Sequence, residues 1–201
     1  MIDEQLKPHG VVDERVLRAM ADVPRDEFVP PRLRLNAYED RALGIECGQT
    51  ISQPLVVALM TQAVAPGPDD VALEVGGGSG YQAAVLSRLC RRVITIEREP
   101  ALAERAGATL KRLGYENVEV VLGDGSLGWA GSAPYPVIVV ACAALGVPPA
   151  LVDQLAEAGR LVIPVDTGAD RPQDLRLYTC TGRQVTYRSL FPVLFVPLRT
   201  D

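Results

Sequence analysis

The chain has 201 residues, of which 48% are hydrophobic and 22% charged, as expected for a globular protein with one full core. Its net charge of -5 argues against a general nucleic-acid surface, and no apolar run is long enough to span a bilayer or form a signal peptide. Four widely spaced cysteines, none in a C-x-x-C pair, are typical of reduced thiols, so we expect a cytoplasmic protein.

The N-terminal segment contains one amphipathic helix. Residues 1–11 are polar and are predicted to be loosely held. Val12, Val16 and Met20 then recur at helical spacing, and the helix is expected to end at Val23, because a proline follows. The single histidine, His9, precedes this helix beside a proline and a glycine, and we interpret it as a surface loop residue.

The stretch from Gly48 to Pro54, Gly-Gln-Thr-Ile-Ser-Gln-Pro, shows neither the helical nor the strand period. It ends at a proline suited to the first turn of a helix, which is predicted to run to about Val64. Spacing alone favours a capping role for Ser52 or Gln53 at the start of that helix.

A glycine-rich turn follows and organises the rest of the chain. Residues 71–75 form a buried strand, and Gly76, Gly78 and Gly80 come directly after it, before a helix that begins near Tyr81. Glycines in such a turn let a ligand lie against bare backbone. The amides at the start of the following helix can donate hydrogen bonds to that ligand.

The acid two positions before the turn, Glu74, distinguishes between two kinds of nucleotide ligand. In the dinucleotide fingerprint G-x-G-x-x-G a pyrophosphate binds at this turn, whereas here the third glycine comes one residue early. A carboxylate at Glu74 would repel a pyrophosphate by about 1–4 kcal/mol but would attract an ammonium or a sulfonium. The sequence therefore favours S-adenosylmethionine over a dinucleotide, with Glu74, Gly76, Gly78 and Gly80 at the cofactor site.

Two further acids lie at strand ends. The strand predicted over residues 92–97 ends in Glu97, which could accept the ribose hydroxyls of a bound nucleoside. The alternative is a surface carboxylate that caps the next helix, predicted over residues 100–113. The strand predicted over residues 118–122 ends in a Gly-Asp-Gly loop that could place Asp124 against the adenine amino group.

The last third of the chain completes a sheet. We predict strands over residues 137–140 and 159–164, a helix over residues 148–158, and an antiparallel hairpin over residues 175–180 and 184–196. Strands that alternate with helices predict an α/β fold with a doubly wound, mostly parallel seven-stranded sheet and a C-terminal antiparallel hairpin. Its ligands are expected at the carboxyl edge of the sheet.

Several stretches together resemble the protein-L-isoaspartate O-methyltransferase family, over nearly the full chain. They are residues 23–30, 37–41, 48–54, 73–84, 123–125, 159–164 and 190–198. The glycine turn is shared by many methyltransferases, whereas Gln-Thr-Ile-Ser-Gln-Pro (residues 49–54) is far more specific. The resemblance implies a Rossmann-like, class I S-adenosylmethionine-dependent methyltransferase fold. Residues 1–201 would form a single domain, with residues 1–66 as a helical segment on the substrate side.

The resemblance also implies roles for individual residues. Ser52 matches the active-site serine of the family and is the expected catalytic residue. Thr50 and Ile51 would lie beside the cofactor together with Ser52. Glu97 matches the ribose-binding acid, and the Asp124-Gly125 dipeptide matches the loop on the adenine side.

The implied activity is methyl transfer from S-adenosylmethionine to the free carboxylate of L-isoaspartyl residues in damaged proteins, which starts repair through a succinimide. D-aspartyl residues are a further substrate that the resemblance allows. Because a carboxylate with a pKa near 4 is ionised at neutral pH, neither a general base nor a metal is expected. The expected partners are isoaspartyl proteins and peptides, without nucleic acid or membrane, and we expect a monomer.

Three alternative functions remain open from the sequence. The first is a methyltransferase that esterifies one aspartate in a biosynthetic peptide, and the second is a non-catalytic S-adenosylmethionine-binding module. The third is a dinucleotide-dependent oxidoreductase, against which the charge of Glu74 argues.

Overall fold

A computed structural model describes residues 1–168, 171–182 and 184–200. Its five α-helices within these ranges are α1 (Glu14–Asp22), α2 (Pro54–Val64), α3 (Tyr81–Ser87), α4 (Pro100–Arg112) and α5 (Pro149–Asp153). The strands are β1 (Leu43–Gly44), β2 (Thr50–Ile51), β3 (Val71–Val75), β4 (Arg92–Glu97), β5 (Val118–Leu122), β6 (Tyr135–Val140), β7 (Leu155–Val165), β8 (Gln173–Thr181) and β9 (Gln184–Val193).

Seven of these strands form one sheet in the order β5-β4-β3-β6-β7-β8-β9. The first five in that order are parallel to one another, whereas β8 pairs antiparallel with β7 and β9 pairs antiparallel with β8. This order confirms the predicted doubly wound sheet and its C-terminal hairpin. The chain crosses from β5 back past β3 to β6, so the topological switch lies at β3, the strand that leads into the glycine turn.

The N-terminal residues are held more firmly than the sequence suggested. Residues 1–11 form a π-helical turn (Ile2–Leu6) and a 3-10 turn (Lys7–His9), and the side chains of Leu6 and Val11 are buried. The prediction of a loose segment was wrong because two apolar residues in a polar stretch suffice to anchor it. They join a core cluster that also contains residues of α1, α2 and α3.

The predicted helix over residues 148–158 is shorter than expected. Helix α5 ends at Asp153, because the Gln154 carbonyl accepts a hydrogen bond from the Tyr135 amide at 2.8 Å and the next residue, Leu155, pairs with Tyr135 in the sheet. The pairing register shifts between Tyr135 and Val137, so β7 is irregular at its start. A strand with an irregular start does not show the regular alternation by which strands are recognised.

The hairpin also ends earlier than predicted. Strand β9 stops at Val193, and the carbonyl of Val196 instead accepts a hydrogen bond from the Ala143 amide beyond β6, at 2.8 Å. Residues 196–199, which we call the C-terminal tail, therefore lie against the carboxyl edge of the sheet. Among the described residues, no helix combines the length and apolar character needed to cross a membrane.

Candidate active site

The glycine turn closes tightly against the neighbouring strand β4. The amides of Gly76 and Gly77 both donate to the carbonyl of Ile96, at 2.9 and 3.1 Å. Gly78 and Gly80 have positive φ angles of 53° and 85°, which residues with a side chain rarely adopt. The turn thus presents bare main chain at the carboxyl edge of the sheet, as the sequence predicted.

A cleft with an empty volume of about 570 Å³, the main cleft, opens in front of this turn. The residues that line it come from the turn, the ends of β3 and β4, the 49–50 segment, the loop after β6 and the C-terminal tail. They are Gln49, Thr50, Val75, Gly76, Gly78, Ile96, Glu97, Arg98, Glu99, Gly125, Ala141, Cys142, Val196, Pro197, Leu198 and Arg199.

Glu97 lies in the main cleft at the end of β4, and its side chain is only 6% exposed. Its Oε2 accepts a hydrogen bond from the Gly78 amide at 2.7 Å, and its Oε1 accepts one from the Glu99 amide at 2.9 Å. Two backbone amides therefore fix the orientation of the carboxylate. Since an ionised carboxylate offers about four acceptor positions, capacity remains for two ligand hydroxyls.

The loop after β5 approaches the cleft through Gly125 rather than through Asp124. The Asp124 side chain accepts a hydrogen bond from the Ser126 amide at 2.8 Å and so caps a short 3-10 helix (Gly125–Leu127), while Gly125 lines the main cleft. A Cβ atom on Gly125 would lie 2.4 Å from Cγ1 of Val75, so only glycine fits at this position.

A second, smaller space, the inner cavity, lies behind the turn and has an empty volume of about 310 Å³. It is lined by Thr50, Ile51, Ser52, Val57, Glu74, Gly76, Gly77, Gly78, Ser79, Tyr81, Gln82 and Ala141. The inner cavity shares Thr50, Gly76, Gly78 and Ala141 with the main cleft. The two spaces thus meet at the glycine turn.

Glu74 is the acidic residue that lines the inner cavity, and it is fully buried. Neither of its carboxyl oxygens has a hydrogen-bond partner among the described residues. Burial raises the pKa of Glu74 to about 8, and the charge of Glu97 adds to this rise. A buried carboxyl without a partner is a site that a cationic group could satisfy.

Ser52 lies at the junction of the inner cavity with a third space, the outer groove. The outer groove is lined by Asp40, Arg41, Ala42, Thr50, Ser52, Gln53, Val56, Arg171, Pro172, Pro192, Val193, Leu194 and Phe195. Among the described residues, Thr50 and Ser52 alone line both the outer groove and the inner cavity. The groove is broad and open, with an empty volume of about 1430 Å³.

The capping alternative for this segment is wrong. The N-cap position of α2 is Gln53, and no side chain caps that helix. The amide of Val57 instead bonds to the backbone carbonyl of Gln53, at 3.1 Å, and Pro54 at the first helical position needs no hydrogen-bond acceptor.

Comparison with known proteins agrees with this geometry. The sequence profile described as Protein-L-isoaspartate(D-aspartate) O-methyltransferase (PCMT) matches residues 1–201. The chain belongs to this family. The protein-L-isoaspartate O-methyltransferase of Gloeobacter violaceus is 50% identical over 201 residues, which cover 100% of this chain and 98% of the relative. That of Protochlamydia amoebophila is 48% identical, with 98% and 94% covered.

Two solved structures share the fold of this family member over almost the whole chain. One protein-L-isoaspartate O-methyltransferase has a TM-score of 0.86 at 32% identity and covers 96% of this chain, which spans 63% of the length of that protein. A Plasmodium falciparum protein, described as a protein-L-isoaspartate O-methyltransferase in complex with S-adenosyl-L-homocysteine, has a TM-score of 0.85 at 27% identity, with 100% and 97% covered.

The family confirms the methyltransferase class and the S-adenosylmethionine cofactor that the Glu74 argument favoured, and the dinucleotide alternative is wrong.

Sequence reasoning missed two features of the methyltransferase site. One is the C-terminal tail, whose Arg199 forms an ion pair with Glu99 at 3.1 Å across the main cleft. The other is Arg25, which lies 27 positions before Ser52 and bonds to its carbonyl. No local pattern signals contacts over such separations.

Proposed function

We propose that this chain methylates the free carboxylate of L-isoaspartyl residues in damaged proteins and peptides, and so starts their repair through a succinimide. D-aspartyl residues are a further substrate that this proposal includes. The observation that carries the proposal is the position of Ser52, on the boundary between the inner cavity behind the glycine turn and the outer groove. A methyl donor on one side and a peptide carboxylate on the other would meet there.

We assign the main cleft to the nucleoside part of S-adenosylmethionine, which supplies an electrophilic methyl group when bound. The Glu97 carboxylate, already oriented by two backbone amides, would accept the ribose hydroxyls. Gly125, which lines the main cleft, would lie beside the adenine, and the loop packs this closely on β3 because a Cβ at Gly125 would clash with Val75. Asp124 would act by shaping this loop through its cap of Ser126.

We assign the inner cavity to the charged amino-acid end of the same cofactor. Gly76, Gly77 and Gly78 would provide the main-chain wall, and Thr50 and Ile51 also line the cavity. Gly80 would act only by shaping the turn, because it precedes α3 and a Cβ there would meet Leu110 and Ala106 of α4. Glu74 would bind the cofactor ammonium, directly or through a water molecule. The unpartnered buried carboxyl of Glu74 is the feature that fits this group, since a cation would favour its ionised form.

The acceptor needs no general base in this scheme, because its carboxylate is ionised at neutral pH. The Ser52 hydroxyl can donate one hydrogen bond to a carboxylate oxygen and so orient the other oxygen toward the methyl group. The chain's single histidine lies elsewhere: His9 is exposed in the N-terminal 3-10 turn and contacts the Gln5 carbonyl at 2.7 Å.

The outer groove fits an extended peptide of varied sequence. Its walls combine apolar residues such as Leu194, which is 86% exposed, with the charged side chains of Asp40, Arg41 and Arg171. A repair enzyme must accept many sequences around the damaged residue, and an open, mixed groove permits this. Contacts to the peptide main chain would then supply most of the recognition.

We further propose that residues 1–201 act as one domain, with residues 1–66 on the substrate side, and that the protein is a cytoplasmic monomer without nucleic-acid or membrane partners. The N-terminal segment supports the first point, because Leu6, Met20 and Phe28 share one core cluster with Tyr81 and Leu110 of the sheet-covering helices. Analytical ultracentrifugation tests the monomer; a dimer at micromolar concentration would contradict it.

The activity itself is tested with a pair of peptides that differ only in one linkage. Tritiated S-adenosylmethionine should label an isoaspartyl peptide, and the label should be lost at neutral pH as the ester closes to a succinimide. The aspartyl twin should remain unlabelled. Equal labelling of both peptides would leave a general carboxyl methyltransferase, and labelling of neither would favour esterification of one particular biosynthetic peptide.

A further inference from the structure

The guanidinium of Arg25 is fully buried, with 0% of the residue exposed. Its Nε donates to the Ala37 carbonyl and its Nη2 to the Ser52 carbonyl, both at 2.7 Å. The guanidinium carbon lies 4.8 Å from the ring centroid of Tyr81, in cation–π contact. Its Nη1 has no hydrogen-bond partner within the described part of the chain.

These contacts join three segments that are far apart in sequence. Ala37 ends the 3-10 helix Pro31–Asn36, on the substrate side. Ser52 follows β2 and faces both the inner cavity and the outer groove. Tyr81 is the first residue of α3, directly after the glycine turn, and lines the inner cavity. One side chain therefore links the acceptor side of the site to the cofactor side.

Stability alone is a weak explanation for such an arginine. Burial of a cation without an ionic hydrogen-bond partner costs free energy that two carbonyls and one ring offset only in part. Burial accordingly lowers the pKa of Arg25. What the guanidinium offers in return is geometry, because its planar fork holds two acceptors in fixed directions, which an ammonium on a flexible stem does not.

We propose that Arg25 is a positioning residue for methyl transfer, which fixes the main chain of Ser52 relative to the glycine turn and so sets where the Ser52 hydroxyl points. This inference rests on the proposed function. A hydroxyl displaced by about 1 Å from the reacting atoms can reduce the rate of an aligned transfer by about a hundredfold. Arg25 touches no reacting group itself; it acts through Ser52.

The first test is Arg25→Lys, which keeps the positive charge but loses the fork. We expect kcat on an isoaspartyl peptide to fall by about 10- to 100-fold, while the dissociation constant of S-adenosyl-L-homocysteine and the KM of the peptide change by less than about threefold. The matched control is Arg88→Lys, because Arg88 also stacks on a tyrosine, at 4.9 Å from the Tyr115 centroid, but on an exposed surface. Its kcat should equal that of the wild type.

A double-mutant cycle separates positioning from general support of the fold. In a Ser52→Ala background, Arg25→Lys should lower kcat by less than about threefold, because the group that Arg25 positions is already absent. Loss of the same factor in both backgrounds would overturn the proposal. So would a kcat for Arg25→Lys, per folded molecule, equal to that of the wild type.

A second variant keeps the proposal testable if Arg25→Lys does not fold. Arg25→Met keeps an unbranched apolar stem and removes the charge whose burial is costly, so it should fold where the lysine variant does not. It should show the same selective loss of kcat and the same dependence on Ser52, and unaltered turnover would refute the proposal. A wild-type protein that labels no isoaspartyl peptide would instead refute the proposed function, so the two failures are distinguishable.

Discussion

The two sides of the proposed active site, one assigned to the cofactor and the other to the acceptor peptide, are built in different ways. The cofactor side consists of the ends of three adjacent parallel strands, β3, β4 and β5, where short backbone hydrogen bonds hold the glycine turn and Glu97. The acceptor side is built mainly from residues 37–53, which contain only two strands of two residues each, and residues 171–172 and 192–195 complete the outer groove. The buried Arg25 side chain bonds to the carbonyls of Ala37 and Ser52, near the two ends of this segment. Sheet hydrogen bonds therefore hold the first side, whereas the second depends on side-chain contacts between segments that are distant in sequence, Gln5 to the Tyr38 carbonyl among them.

The largest effect on cofactor affinity, which would sharpen this comparison, is expected from Glu97→Ala. The substitution removes the acceptors for the ribose and also releases the amides of Gly78 and Glu99. Binding of S-adenosyl-L-homocysteine should weaken by about 1–3 kcal/mol, the cost of polar groups left unpaired in a desolvated site. Calorimetry measures this, with Glu104→Ala, an exposed acid of α4, as the control. Wild-type affinity in Glu97→Ala would remove Glu97 from the cofactor site.

A separate effect, on the free energy of unfolding rather than on affinity, is expected from the ionisation of Glu74. The folded protein without cofactor retains this proton up to a pKa of about 8, whereas the unfolded chain loses it near the ordinary value of 4.5. The folded state therefore binds more protons between these two values, and the free energy of unfolding should fall as pH rises through that window. Chemical denaturation across the window should show this decline, and Glu74→Gln should lack that contribution.

The same proton gives a second measurement of cofactor binding. The ammonium of the ligand favours the ionised carboxylate, so binding of S-adenosyl-L-homocysteine just below pH 8 should release up to one proton. Calorimetry in two buffers of different ionisation enthalpy measures the release. Equal proton release by the wild type and Glu74→Gln would place the ligand's charge away from this carboxyl.

The smallest effect is expected at the C-terminal tail. Arg199 and Glu99 form an ion pair across the main cleft, but their side chains are 53% and 30% exposed. An exposed pair is worth about 0–1 kcal/mol, and salt screens it. Arg199→Ala should change cofactor affinity by no more than this, and less in high salt. A tenfold or greater loss of affinity would show that the cofactor side also depends on a long-range side-chain contact.

The cofactor side could be predicted from the sequence because its chemistry is local. Glu74, the glycines and Glu97 sit at the ends of strands whose hydrophobic pattern is regular, and parallel strands bring their carboxyl ends to one edge. The Gly-Asp-Gly loop lies at the same edge, but the residue of this loop that lines the main cleft is Gly125 rather than Asp124.

The acceptor side could be predicted only through family resemblance. Spacing around Ser52 favoured a helix cap, which the structure does not contain. The contact from Arg25 to Ser52 spans 27 positions. Because its acceptor is a backbone carbonyl, which every residue has, the residue types at the two positions do not predict it. Likewise, the early start of β7 depends on its pairing with Tyr135, a contact outside its own sequence.

The central claim is that Ser52 belongs to the acceptor side and acts on the rate alone, and one variant tests it most directly. Ser52→Ala should melt like the wild type, since this serine does not cap α2, and should bind S-adenosyl-L-homocysteine with unchanged affinity. Its kcat on an isoaspartyl peptide should fall roughly 10- to 100-fold. This corresponds to an activation free energy raised by about 1.5–3 kcal/mol, the contribution of a hydrogen bond to a charged acceptor. A lower melting temperature with wild-type kcat per folded molecule would contradict this account.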